Sequence, residues 1–455
     1  MARSFLIRFA ALAALGVASC SSADQPPAAV QPPFTARSTS LEITNGIKVV
    51  TNVSLPNGFA PIAGRAPMWL ENSAEIGVVG MQDGHTVVYG LGGPDWHAGR
   101  VLATEIGPSA AARGTIVDVA ASPEGLTLAT AIVAPDHKRV DVVIRDLIAS
   151  GPGNVIASFD GRFDSISLSW LNSATIALAL RKHPEESIEH ADSDDTDHPP
   201  ATPIDGLQLI VVTGASSVAP LKLGCPMSAL SWSTHGVYAV GQGDSSTAPV
   251  VIDRRKSVCG KFGRSTPIHV LDWDSEEEGT FLFVGVDPTN NTVDVYRHNI
   301  ETGAEHVVGV STGAASFTPG GDIVVLGNQK LTFRMATERP QLEMLAQVAI
   351  VQPDESRTDV KSLGFNSTPA MLAQSSMAYS KGADEAAMQV FAPSQPIPWR
   401  KIVSYSLPTD AAFLLAAGPA RGTVTMSWSP KGRWLAFLDG DASTGATLTV
   451  LAPPR

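Results

Sequence analysis

The chain has 455 residues, of which 44% are hydrophobic and only 17% charged, with a net charge of -12. That length supports a large core, and 40 Gly and 33 Pro argue for many short elements joined by turns. No Lys/Arg cluster is long enough to track a phosphate backbone, so a nucleic-acid partner is excluded as an expectation.

The chain opens M-A-R-S-F-L-I-R-F-A-A-L-A-A-L-G-V-A-S-C, with Arg3 and Arg8 ahead of an apolar run and small residues before Cys20. This is the pattern of a cleaved signal peptide over residues 1–19, too short for a membrane-spanning helix. Val17, Ala18, Ser19 and Cys20 resemble a bacterial lipobox. The resemblance implies that Cys20 is lipidated (diacylglycerol and palmitate-type acyl chains) and becomes the first mature residue. Ser21 at the next position resembles sorting to the outer membrane, with the chain facing the periplasm or the cell surface. Residues 20–40 are Ser-, Ala-, Pro- and Gln-rich and read as a flexible tether. The remainder, 41–455, is read as one domain.

Within it a short unit recurs: alternating apolar residues, a bulky anchor, a polar turn, then an apolar strand. The anchors are Trp69, Ala121, Trp170, Trp232, Trp273, Phe317, Phe365 and Trp428. Successive spacings are 52, 49, 62, 41, 44, 48 and 63 residues. Four short strands per such period, without long helical patterns, predict an all-β propeller. Eight copies predict eight four-stranded blades. Seven blades is the alternative, because "NSTPAMLAQSSMAYSKG" after Phe365 alternates poorly. The last unit shows only three strands, so "NGIKVVTNVSL", residues 45–55, is expected to supply its outermost strand and close the ring. The anchors then serve packing between blades rather than ligand stacking.

"SWSPKGRWLAF", "ASPEGLTLATA" and "SFTPGGDIVVL" resemble the repeats of the periplasmic Tol-Pal translocation propeller and its WD-repeat relatives, with Lys431 and Glu124 where Asp is usual. The resemblance covers residues 65–453 and implies architecture only.

Chemistry-bearing residues are sparse. "RKHPEESIEHADSDDTDHPP", residues 181–200, is expected as an insertion between the second and third strands of the third blade. Its His183, His190, Asp192, Asp194 and His198 are the candidates for a Ca2+ or zinc site. No Gly supplies the sharp turn of an ordered calcium loop, so a solvated acidic loop is the simpler expectation. Asp95, Trp96 and His97 fall in a loop of the first blade, and Asp272 and Asp274 flank Trp273, where a polar structural role is expected. Cys225 and Cys259, at opposite edges of the fourth blade, are expected to form a disulfide. No G-x-S-x-G elbow, H-E-x-x-H helix or C-x-x-C pair occurs. The expected function is a non-catalytic scaffold, anchored by lipid and bound to a protein partner in the cell envelope. The alternatives are a calcium-dependent propeller hydrolase or lactonase and a surface ligand-binding lipoprotein.

Overall fold

Alternating strand segments, most of them five to eight residues long and punctuated by Gly and Pro, fold here into eight antiparallel sheets of four or five strands. The structure, a computed structural model, describes residues 41–454 except 63, 71–73, 93–97, 105–113, 149–152, 184–205, 213–216, 222–226, 244–248, 263–267, 288, 328–329, 335–340, 354–355, 394–396, 421–422 and 442–444. The signal-peptide and tether segments and Cys20 therefore lie outside the described residues.

Blade 1 comprises Met68–Leu70, Glu75–Gln82, His85–Gly92 and Ala98–Thr104, with Ala60–Pro61 added beside its second strand. Blade 2 is Thr115–Ala121, Thr127–Val133, Arg139–Asp146 and Asn154–Asp160; blade 3 is Phe163–Asn172, Thr175–Lys182, Gly206–Val211 and Ser217–Leu221. Blade 4 runs Met227–Trp232, Tyr238–Gly243, Pro249–Asp253 and Val258–Lys261; blade 5 runs His269–Trp273, Thr280–Asp287, Thr292–Asn299 and Glu305–Gly309. Blade 6 contains Ala315–Phe317, Ile323–Leu326, Gln341–Val351 and Arg357–Asn366, plus Lys330–Arg334. Blade 7 is Ser376–Ser380, Glu385–Ala392, Trp399–Ser406 and Ala411–Pro419, preceded by the short helix Pro369–Leu372.

Blade 8 takes Thr423–Trp428, Leu435–Asp441 and Gly445–Ala452 from the C-terminal end and Lys48–Ser54 from the N-terminal end. The predicted closure is thus observed, with Lys48 opposite Ala452 and Ser54 opposite Thr447. A feature not predicted precedes it. Glu42–Ile43 pairs with Ala416 and Ala417 at the outer edge of blade 7, so the N-terminal strap spans two blades.

The core sits between the blades. Alternate residues of each sheet face alternate neighbours: Ala386, Met388 and Val390 pack toward blade 6, whereas Ala387 and Ile402 pack toward Trp428 and Phe437 of blade 8. A sheet buried on both faces has no solvated side, which is why the second strands read as nearly unbroken apolar runs.

Seven of the eight expected anchors lie at or within two residues of the end of an innermost strand; Phe365 does not. It lies in the outermost strand of blade 6, and the eighth anchor is Tyr379, opposite Ala386 in blade 7. Its turn, S-K-G-A-D, lacks the proline that marks the better copies, and an inserted ribbon stretches the Phe317–Tyr379 spacing to 62 residues (379 − 317).

The turns after the anchors repeat one device. The hydroxyls of Ser122, Ser233 and Ser429 accept backbone N–H bonds from Thr127, Tyr238 and Trp434, clamping the reversal. Gly432 closes the last turn at φ 65, and a Cβ there would meet Ser380 Oγ of blade 7 at 2.2 Å, so glycine is required by conformation and by space.

The anchors also carry a directional bond. Trp170 Nε1 donates to the Ala120 carbonyl at 3.1 Å, Trp232 Nε1 to Ser169 Oγ at 3.1 Å and Trp273 Nε1 to Ser231 Oγ at 2.9 Å. Trp428 Nε1 donates to the Ala378 carbonyl at 2.9 Å and Trp69 Nε1 to the Ser427 carbonyl at 3.3 Å. In each case the acceptor is the residue just before the anchor of the preceding blade, so the indoles form rungs around the ring. Between blades 5 and 6, where Phe317 has no side-chain donor, the residue in that acceptor position is Asp272. Its Oδ2 accepts from the Phe317 amide at 3.0 Å and from Ser316 Oγ at 2.6 Å.

Candidate interaction face

Two kinds of connection alternate in each blade, so the ring has two unlike faces. The connections from first to second and from third to fourth strands form one face, here called the turn face. Those from second to third strands, and between blades, form the loop face.

The turn face is tightly self-bonded. Between blades 4 and 5, Ser233 Oγ and His235 Nδ1 engage the Glu278 carboxylate, the latter at 2.7 Å. Tyr238 Oη donates to Glu301 at 2.6 Å, and Arg255 pairs with the same carboxylate at 3.0 Å. Burial and the bond to Glu301 push the Tyr238 hydroxyl up to about 12. Burial and the Asp384 carboxylate likewise raise Tyr379. Both shifts move the phenols away from neutrality, as expected for groups that fix a structure rather than exchange protons. At the closure between blades 8 and 1, Trp69 stacks on Trp434 with centroids 6.1 Å apart, and the Arg433 guanidinium lies 5.3 Å from the centroid of the Trp434 ring.

The loop face is where chain length has been added. The strands of blade 3 that flank residues 184–205 both end there, so the predicted insertion falls at its predicted place between Thr175–Lys182 and Gly206–Val211. Blade 6 carries a second addition on that face. Lys330–Arg334 pairs only with the first part of Gln341–Val351, from Lys330 opposite Leu345 to Arg334 opposite Gln341. The later part of that 11-residue strand completes the blade, with Ile323–Leu326 on one side and Arg357–Asn366 on the other. A two-stranded ribbon thereby runs past the end of the blade. Its register sets Leu331 opposite Met344 and Phe333 opposite Leu342, so these four apolar positions share one face. Thr332, Arg334, Gln341 and Glu343 share the other.

The predicted site residues separate accordingly. His183 lies at the root of the blade 3 insertion, with Nε2 3.8 Å from Asp164 Oδ1. His190, Asp192, Asp194 and His198 lie outside the described residues, as do Asp95, Trp96 and His97. Among the described residues, no three His, Cys, Asp or Glu side chains form a group that could hold a metal ion. Asp272 has the structural role expected of it. Asp274 is buried and capped by the amides of Glu276 and Glu277, and burial raises its pKa. Cys259 lies on the outermost strand of blade 4, opposite Ile252, and is disulfide-bonded; Cys225 lies outside the described residues. Trp399, 41% exposed on the loop face, is the one aromatic among the exposed large apolar side chains of the described residues. No helix of the described residues is long and apolar enough to cross a membrane.

Sequence reading missed the rung acceptors, although a signal for them was present. Ser precedes the anchor in "LSW" at 168–170, "LSW" at 230–232, "ASF" at 315–317 and "MSW" at 426–428. It also missed the blade 6 ribbon, because its alternation was absorbed into the expected strand count.

No protein-family model and no curated protein matches the chain. Solved structures do. The Dos1 propeller aligns with a TM-score of 0.51 at 11% identity, covering 90% of this chain and 95% of that one. A prolyl endopeptidase aligns with a TM-score of 0.45 at 12% identity over 84% of this chain. Only 55% of the endopeptidase is covered, so this chain spans about half its length. TolB from Acinetobacter baumannii gives 0.33 at 12% identity, covering 76% of this chain and 63% of that one. The first of these likenesses agrees with the class the sheets define, a β-propeller, and at such identities the likeness is one of fold alone.

Proposed function

We propose that this chain is a non-catalytic binding scaffold, lipid-anchored through Cys20 in a bacterial envelope, with a protein partner docked on the loop face. The observation that carries the reading is the asymmetry of the two faces. Among the described residues, the turn face is bonded by its own turns and ion pairs, while at the loop face blade 6 extends into a ribbon whose register sets Leu331, Phe333, Leu342 and Met344 on one side. In our proposal association buries a ribbon of that register. The lipid anchor rests on the lipobox resemblance, and Cys20→Ser is expected to shift the protein from the membrane to the soluble fraction.

The docking claim is tested by replacing residues 328–344 with a short Asn-Gly turn, which keeps Leu345–Val351, the part of the third strand that pairs within blade 6. In cross-linked envelope extracts the full chain is expected to retain a specific partner that the shortened chain loses, with thermal unfolding unchanged. A partner retained equally by both, or a chain that stays monomeric and unpartnered, would sink the assignment.

The disulfide belongs to the same proposal, since an oxidising compartment would form it. Peptide mapping without reductant is expected to recover one species linking Cys225 and Cys259, a bridge closing a 34-residue interval (259 − 225). Such a loop contributes about 3 kcal/mol on a chain-entropy estimate. Free thiols at both positions in the exported protein would count against it.

A further inference from the structure

The seam between blades 7 and 8 carries a set of buried polar side chains beside its hydrophobic core. On the blade 7 sheet, register places Glu385 opposite Ser406, Ala387 opposite Ser404, Gln389 opposite Ile402 and Phe391 opposite Arg400, all on the face toward blade 8. Blade 8 answers with Phe437 and Asp439. At one end Arg400 and Asp439 pair with each other, and Asp439 also accepts the Leu41 amide of the strap. Further in, Gln389 and Ser404 are 7% and 0% exposed, and neither Gln389 Oε1 nor Ser404 Oγ has a hydrogen-bond partner among the described residues.

Two such atoms on adjacent strands, on diagonal positions of one face, are hard to explain as dry. Burying a hydroxyl or amide oxygen without a hydrogen-bond partner carries its full desolvation penalty. The chain could have avoided that cost with apolar residues, as it does on the opposite face of the same strands, where Ala386, Met388, Val390 and Val403 meet blade 6. Ala387 and Ser404, directly opposed, are also the smallest cross-strand pair among the four toward blade 8. Gln389 Oε1 can only accept, while Ser404 Oγ can both donate and accept. A water molecule both donates and accepts, and so can satisfy both.

We propose that the blade 7–blade 8 seam contains an internal water-binding site, in which ordered water bridges Gln389 Oε1 and Ser404 Oγ beside the Arg400–Asp439 pair. The seam then holds a hydrated polar pocket beside its hydrophobic core, next to the point where the strap amide of Leu41 meets Asp439.

A high-resolution crystal structure of the full domain tests this directly. Density for water within about 2.7–3.2 Å of both atoms is expected. A direct Gln389–Ser404 bond without water would overturn the proposal. Thermal unfolding of Ser404→Ala gives an independent reading. If water is bound there, the variant removes one of its ligands and lowers Tm by about 1–3 °C. If the seam is dry, the same substitution relieves an unsatisfied hydroxyl and raises Tm, which refutes the site even without crystals.

Discussion

Asp439→Asn is expected to destabilise the domain by about 3–5 kcal/mol, the cost of leaving a buried charge without its partner. Arg400 and Asp439 are only 4% and 3% exposed, with Nη1 and Oδ1 3.6 Å apart. Burial lowers the pKa of Arg400 and the Asp439 charge opposes that effect, but a guanidinium does not shed its proton at neutral pH. Asn cannot balance the charge, and it also weakens the 3.1 Å bond from the Leu41 amide that seats the strap. The informative control is the double variant Arg400→Met/Asp439→Leu, expected to be far closer to the parent because no charge is stranded. Chemical denaturation measures both. Equal losses in the single and double variants would mean that the pair acts through packing alone.

Trp428→Ala is expected to cost about 3–5 kcal/mol, through a cavity among Leu435, Phe437 and Met426. Trp428→Phe separates the rung from the packing. It keeps most of the ring and removes the indole donor to the Ala378 carbonyl, for a loss of about 1 kcal/mol plus a small volume change. The same pair of substitutions at Trp170, whose donor meets the Ala120 carbonyl, should reproduce the ratio. A Phe variant as damaging as Ala would show that the rung, rather than the packing, carries the anchor.

The ring was legible in the sequence because its physics is local and repeated. A Ser hydroxyl, a Gly at positive φ and an anchor within a few residues write the same turn several times over, and "SWSPKGRW" is one clear copy. The N-terminal closure was legible as an arithmetic deficit, three strands where four were needed. Tyr379 was missed because its turn uses K-G-A-D, a reversal that works in the structure without the proline that advertises one. The Arg400–Asp439 pair was unreadable for another reason. The partners stand 39 residues apart (439 − 400) on different blades, and a single charged residue in a strand looks like an exposed one until its neighbour is known. The ribbon was hidden because period-two alternation says strand without saying which sheet.

The strap has a consequence for how the protein is made. Lys48 and Ala452 are 404 positions apart (452 − 48), so Lys48–Ser54, made near the start, waits for the last strand before it has a sheet edge to join. Closing so large a loop is slow, and during translation the outer edges of blades 1 to 7 accumulate without a completed ring. A premature stop after Ala420 would therefore strand Lys48–Ser54 as an unpaired edge, costing far more than the 35 residues it removes (455 − 420). The same adjacency means that the two ends could be joined and the chain opened at a turn elsewhere, giving a permuted gene whose eighth blade is continuous.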